Sequence, residues 1–257
     1  MKILCTDLDN TIIYSYRHDI GLEKRNVEIY KGREISFITN KTHELLKKVQ
    51  KEYLVVPTTT RTIEEYKRID LEIGDIKYAL TCNGGILLIN GDRDNEWYME
   101  SKRLINDSIA DICMAIEYLR EDKRRKFDLR FIEELFVFTK CSNPIDVVNE
   151  LKEKLNTNKV EVFNNREKVY VVPVNLSKGI AIKRLRKRLE SDVIIAAGDS
   201  EFDISMVEEA DKGIVPFGFK KRYSVSSDIL EMPREIPFSE SLLEECLKMS
   251  HFIIDVK

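Results

Sequence analysis

The chain has 257 residues, with 42 Lys plus Arg against 45 Asp plus Glu and a formal net charge of -3. Forty-three per cent apolar and 34 per cent charged residues describe a globular protein with a sizeable core, long enough for two domains or one domain with a large insertion. The charge balance argues against a protein built to grip a nucleic-acid backbone, which needs a net basic face, and no apolar run approaches the ~20 residues of a membrane span. Acids appear as early as Asp7, too soon for the apolar region of a signal peptide, so a cytoplasmic protein is expected. Cys5, Cys82, Cys113, Cys141 and Cys246 are scattered, odd in number and without a C-x-x-C pair, as expected of structural thiols in a reducing compartment. His18, His43 and His251 are too few and too far apart for a metal cluster.

In chain order, residues 2–6 are a short apolar run that reads as a buried strand. It leads straight into Asp7 and Asp9, two acids at its tip with nothing nearby in sequence to neutralise them. "THELLKKVQKEY" (42–53) has Leu45, Leu46 and Val49 at helical spacing, "YLVVP" (53–57) is a second strand, and "RTIEEYKRI" (61–69) repeats the helical period. "YALTCNGGILLI" (78–89) is a strand interrupted by an Asn-Gly-Gly turn. Toward the C-terminus come the strand "DVIIAAGD" (192–199), the helix "FDISMVEEAD" (202–211) and the strand "KGIVPFG" (212–218). Strands alternating with helices over 1–82 and 170–250 predict an open, mostly parallel sheet covered by helices on both faces.

The middle of the chain is different. "SIADICMAIEYLRE" (108–121) is an amphipathic helix with Ile109, Ile112, Ala115, Ile116 and Leu119 on one face. "FDLRFIEELFVFTKC" (127–141) reads as two strands around an acidic turn. "NPIDVVNELKEKL" (143–155) is a helix with Asn143 as N-cap and Pro144 at its first position. "VEVFNNREKVYVVPV" (160–174) predicts a hairpin turning at Asn164-Asn165. The expected organisation is a core in two parts, 1–83 and 171–257, with an α+β domain inserted over 84–170.

Ligands of parallel α/β sheets collect outside the C-terminal strand ends. Asp7 and Asp9 follow one such end, Thr58, Thr59 and Thr60 a second, and Gly198, Asp199 and Asp203 a third, while Lys178 stands before the helix that follows "VNLS". A lone D-x-D is weak evidence, because surface acid pairs are common. Four elements delivering carboxylates, a hydroxyl and an ammonium to one edge are specific. Such carboxylates would repel one another at neutral pH, and a hard divalent cation with a phosphate would complete the charge balance.

At this point the segments "DLDNT", "PTTTRT", "NLSKG" and "GDSEFD" resemble the four signature motifs of the haloacid dehalogenase superfamily. The insertion between the second and third motifs and "NGG" at 83–85 resemble its Cof-type branch, similar to the sucrose-phosphate phosphatases, and "VVPTTTRTIEEYKRI" is similar to the sugar-phosphate phosphatases. The resemblance implies a Rossmann-like α/β core with an inserted α+β cap. It implies a Mg2+-dependent phosphatase acting on a small phosphorylated metabolite, with a sugar phosphate favoured. A phosphomutase, or a binding protein on a retired enzyme scaffold, are the alternatives. No nucleic-acid or membrane partner is expected, and nothing indicates an oligomeric state.

Carried onto this chain, the resemblance makes Asp7 the nucleophile and Asp9 the acid and base, with Thr59 and Lys178 holding the phosphoryl oxygens. Mg2+ would sit on Asp7, the Asp9 carbonyl and Asp199, with Asp203 in support. Thr59, Thr60, Arg61, Asn83, Gly84 and Lys178 are the expected substrate contacts. Selectivity would come from the insertion, with Arg130 and Lys140 the first candidates and hinges at Asn83 to Gly85 and Val172 to Val174. Phe202 departs from the pattern, for many relatives have Asn there. "DKRRK" (122–126) reads as a solvated charge run, with an anionic substrate contact from the cap as the alternative, and "KRLRKRL" (183–189) as the polar face of a surface helix.

Overall fold

The computed structural model describes residues 1–252, with side chains described for residues 1–250. Five strands form a parallel sheet in the order Leu230–Glu231, Lys212–Val215, Val193–Ala197, Lys2–Thr6, Leu54–Pro57. The N-terminal strand is therefore central, and its residues alternate between two buried faces. Leu4 and Ile195 enter one apolar cluster with Leu46 and Val49 of the helix Asn40–Val49 and Leu242 and Leu243 of the helix Phe238–Phe252. Ile3, Ile194 and Ala196 are equally buried on the other side. A strand buried on both faces must be continuously apolar, which is why the run before Asp7 looks as it does.

Compact packing divides the chain into two units, one of Met1–Arg93 with Lys178–Lys257 and one of Asp94–Ser177. Both divisions fall later along the chain than the expected 84 and 170. The inserted unit has a four-stranded antiparallel sheet in the order Val160–Asn165, Lys168–Pro173, Phe136–Lys140, Arg130–Ile132. Val137, Val160, Val162, Val169 and Val171 of that sheet pack with Ile112 and Leu119 of the helix Ile109–Glu121 and Val148 and Leu151 of the helix Pro144–Lys154. The architecture is the expected one: a parallel α/β core and an inserted α+β unit.

Several local expectations are corrected. The hairpin in 160–174 turns at Arg166-Glu167, not Asn164-Asn165, because the register that pairs Asn165 with Lys168 puts Val160, Val162, Val169 and Val171 together in the core. Asn143 stands at the N-cap position as expected, but it is left-handed (φ 52°) and makes no side-chain cap bond, with Pro144 in the first turn. The helical period of 61–69 yields only Ile63–Tyr66; Ile69 instead bridges to Glu28, and the Asp70 amide donates to the Val27 carbonyl at 2.9 Å. Residues 78–89 do not extend the parallel sheet as strands of their own. Tyr78–Thr81 and Ile86–Ile89 pair antiparallel, with Asp92–Arg93 beside them; only a bridge from Thr58 to Leu80 runs parallel.

One element had no sequence expectation at all. Lys24–Tyr30 and Arg33–Thr39 form an antiparallel hairpin, joined by Tyr14–Ser15, in the stretch between the first strand and the first helix. Four cysteines are buried and Cys113 is exposed. Among the described residues no helix is long and apolar enough to cross a membrane.

Candidate active site

Asp7 stands where the central strand ends, its amide donating to the Ala197 carbonyl of the neighbouring strand at 2.8 Å. The chain then turns sharply: the Leu8 carbonyl accepts from the amides of Thr11, Ile12 and Ile13 at 3.2, 2.9 and 2.8 Å, and Asn10 takes up φ 59°. That turn presents Asp7 and Asp9 at the sheet edge. On the other side the Thr58 amide donates to the Thr6 carbonyl at 2.8 Å, which carries the threonines after Leu54–Pro57 alongside. The Thr59 carbonyl accepts from the Asn83 amide at 3.0 Å, tying this loop to the turn that holds Asn83 and Gly84, both with positive φ.

Lys178 and Asp203 meet because two glycines leave room. A Cβ on Gly179 would lie 2.3 Å from the Ser205 carbonyl oxygen, so the helix Lys178–Leu189 can cross the Asp203 turn this closely only with glycine there. A Cβ on Gly198 would lie 2.3 Å from both Cβ and Cγ of Asp203. The Lys178 ammonium, 1% exposed, bridges Asp7 Oδ1 and Asp203 Oδ1 at 2.6 Å each. The other Asp203 oxygen accepts from the Asp199 amide, the Ser200 amide and the Ser200 hydroxyl at 3.1, 2.9 and 2.8 Å. Asp203 thus spends its carboxylate on Lys178 and on its own loop. Phe202 lies in the short turn Glu201–Asp203, half-buried.

Oxygens of Asp7, Asp199 and Asp203 lie within 4.8 Å of one another. Three carboxylates face one ammonium, so two negative charges are left over. Burial first, and repulsion from Asp203, Asp199 and Asp9 after it, pushes Asp7 well above the carboxylate range against the pull of Lys178. Burial and Asp203 push Asp199 up to about 7. Lys178 is raised despite its burial, because both aspartates hold its charge. Hard oxygen donors with a double negative excess are the donor set of a Mg2+-sized cation, and the residues present fit that ion.

The Asp9 carboxylate is not part of this cluster. It is half exposed, and Arg61 clasps it through Nε to Oδ2 and Nη2 to Oδ1, both 2.8 Å. The fork is a bidentate guanidinium–carboxylate pair, strong and directional. The third Arg61 nitrogen donates to Glu28 Oε1 at 2.8 Å and to the Glu65 carbonyl at 3.3 Å. Burial acts against the Arg61 charge, and Asp9 and Glu28 outweigh it. Thr59 is buried at the adjoining strand end, and its hydroxyl accepts from the Arg61 amide at 3.2 Å. In the inserted unit, Arg130 and Lys140 stand over the Phe127 ring at 4.8 and 5.1 Å.

Residues 93–215 match the sequence family described as haloacid dehalogenase-like hydrolase. The matched span is a little under half of the chain. The matched span contains Lys178, Asp199 and Asp203, and the fold comparison extends the likeness to the whole chain. Sucrose-phosphatase from Synechocystis, solved with sucrose and phosphate, superposes with a TM-score of 0.63 at 16% identity, covering 98% of this chain and 97% of that one. A haloacid dehalogenase-like hydrolase from B. subtilis superposes with a TM-score of 0.59 at 15% identity, over 96% and 99% of the two chains. In sequence, a phosphoglycolate phosphatase from Sulfurisphaera tokodaii is 29% identical over 153 residues, 58% of this chain and 59% of that relative. The chain is an enzyme.

Glu28 and Arg68 escaped sequence reasoning. The buried pairing of Glu28 with Arg61 depends on a hairpin with no clean alternation, and the one available signal was an acid next to Val27 in a β-prone run.

Proposed function

We propose that the chain is a cytoplasmic, Mg2+-dependent phosphatase that hydrolyses a small phosphorylated metabolite, a sugar phosphate above all, through an aspartyl-phosphate on Asp7. The observation that carries this is the Lys178 ammonium bridging Asp7 and Asp203 at 2.6 Å beside Asp199, at the end of the central strand. The Asp7 and Asp199 carboxylates and the Asp9 carbonyl would hold Mg2+, which supplies charge neutralisation for the incoming phosphate.

An Asp7 oxygen attacks phosphorus, and the bond from phosphorus to the ester oxygen breaks. Asp9 delivers its proton to the departing alkoxide, so the alcohol leaves neutral. A water then gives its proton to Asp9 as its oxygen attacks the aspartyl-phosphate. Inorganic phosphate departs and the Asp7 carboxylate is restored. Lys178 and Thr59 hold the non-bridging oxygens as charge builds on them. Thr60, Arg61, Asn83 and Gly84 border the same strand ends and would contact the substrate, and Asp203 keeps Lys178 and the Asp199 loop in place. The insertion would supply selectivity, with Arg130 and Lys140 as polar contacts.

The test is phosphate release from a panel of phosphorylated metabolites with and without Mg2+, for the wild type and Asp7→Asn. Mg2+-dependent release by the wild type and none by a folded Asp7→Asn is the expected result. Undiminished release by the Asn variant overturns the mechanism.

A further inference from the structure

Val27 and Glu28 are consecutive in a strand and both buried, 3% and 1% exposed. The pairing of Lys24–Tyr30 with Arg33–Thr39 shifts register on both sides of Glu28, between Asn26 and Glu28 and again between Glu28 and Ile29. Such a bulge re-aims a side chain. The irregularity is stapled: the Asn26 amide nitrogen donates to the carbonyls of Glu28 and Ser36, 3.0 Å each. The carboxylate turned inward accepts from the Ser36 hydroxyl at 2.6 Å, Arg61 at 2.8 Å and Arg68 at 3.0 Å.

A buried ion pair adds little stability over an apolar core, so this bulge does more than hold the hairpin. Arg61 is gripped along its edges, by Glu28 and the Glu65 carbonyl at one nitrogen and by Asp9 at the other two. All three of its guanidinium nitrogens are hydrogen-bonded. Among the described residues both side-chain hydrogen bonds of Asp9 come from Arg61.

We propose that Glu28, which lies in none of the four motifs, is a positioning residue that fixes the Asp9 carboxylate through Arg61. The inference rests on Asp9 being the acid and base of the phosphatase. A displaced acid hurts an ester whose alcohol needs a proton, and spares one whose leaving group departs as a stable anion. The bulge thus acts on the site through Arg61.

The experiment compares full-length wild type and Glu28→Gln, both with Mg2+, on an alkyl phosphate and on p-nitrophenyl phosphate. General acid catalysis is worth about 10²–10⁴-fold, so loss of part of it should lower kcat on the alkyl ester by about tenfold. The kcat on p-nitrophenyl phosphate should stay within about twofold, and any change in KM, Arg61 being an expected substrate contact, should be the same for both esters, a split in kcat that a general loss of folded protein cannot produce. Ser36→Ala, which removes one hydrogen bond to Glu28 and no charge, should skew the two esters the same way by less, and it decides the matter should Glu28→Gln not fold. Equal losses on both esters, or no loss, overturn the positioning role alone. A wild type that releases phosphate from neither ester overturns the phosphatase assignment and this inference with it.

Discussion

Replacing Lys178 by Met keeps most of the side-chain volume and removes the one ammonium that Asp7 and Asp203 share. Both carboxylates are buried, and breaking a buried pair by deleting one partner costs about 3–5 kcal/mol. The carboxylates have an escape, which is to take up a proton. Relative to an unfolded aspartate of pKa ~3.9, holding one protonated costs ~1.5 kcal/mol at pH 5 and ~5.6 kcal/mol at pH 8. The variant therefore loses about 1–2 kcal/mol at pH 5, where protonation is the cheaper course, and the full ~3–5 kcal/mol at pH 8. The sign follows from linkage: a carboxyl whose folded pKa is raised binds more protons folded than unfolded, so stability is lost as pH rises. At ~2–4 °C per kcal/mol for a unit of this size, Tm should drop by about 10 °C at pH 8 and by a few degrees at pH 5. Thermal melts in EDTA at the two pH values measure this. Equal losses at both would show that Lys178 acts by packing and not by charge.

Gly198→Ala should cost about 1–3 kcal/mol and abolish turnover, because its Cβ would stand 2.3 Å from Asp203 and push that carboxylate off Lys178 and Ser200; an active variant with an unchanged melt would show that the loop yields freely. With Asp199 raised to about 7 and Asp7 raised as well, protons compete with Mg2+ at the cluster. Calorimetric Mg2+ affinity should rise steeply between pH 6 and pH 8, while the metal-free protein becomes less stable over the same range, and a flat affinity profile would refute the competition.

The strand ends were legible in the sequence because each chemical residue directly follows a fully buried run: Asp7 after Ile3 to Cys5, Asp199 after Ile194 to Ala197, Thr58 after Val55 and Val56. Burial on both faces leaves an apolar signature that few other arrangements produce. The structure brings Asp7, Asp199, Asp203 and Lys178 together as those positions imply. Asp9 is different, since its partner Arg61 stands 52 residues away in sequence and no local pattern records the pairing. The hairpin Lys24–Thr39 was invisible for a related reason: its bulge breaks the alternation that betrays a half-buried strand. At 61–69 the helical period was present, but none of Ile63–Tyr66 is buried, and Ile69 gains more by bridging to Glu28. The turn at Arg166-Glu167 shows a register decision made by valines, against the local preference of Asn164-Asn165.

The strand Lys2–Thr6 is synthesised well before one of its two neighbours in the sheet, Val193–Ala197, which lies some 190 residues later. On the ribosome, Lys2–Thr6 can pair early with Leu54–Pro57, while its other edge waits through the translation of the entire inserted unit. That unit keeps its strands and helices within Asp94–Ser177, so it can form its own core before Lys178 has emerged. The strand Lys2–Thr6 is an open template during this interval, and closing it demands contacts between segments some 190 residues apart. Expression yield should therefore respond to translation speed between residues 94 and 193 and to chaperones that mask sheet edges, even for variants whose finished fold is unaltered.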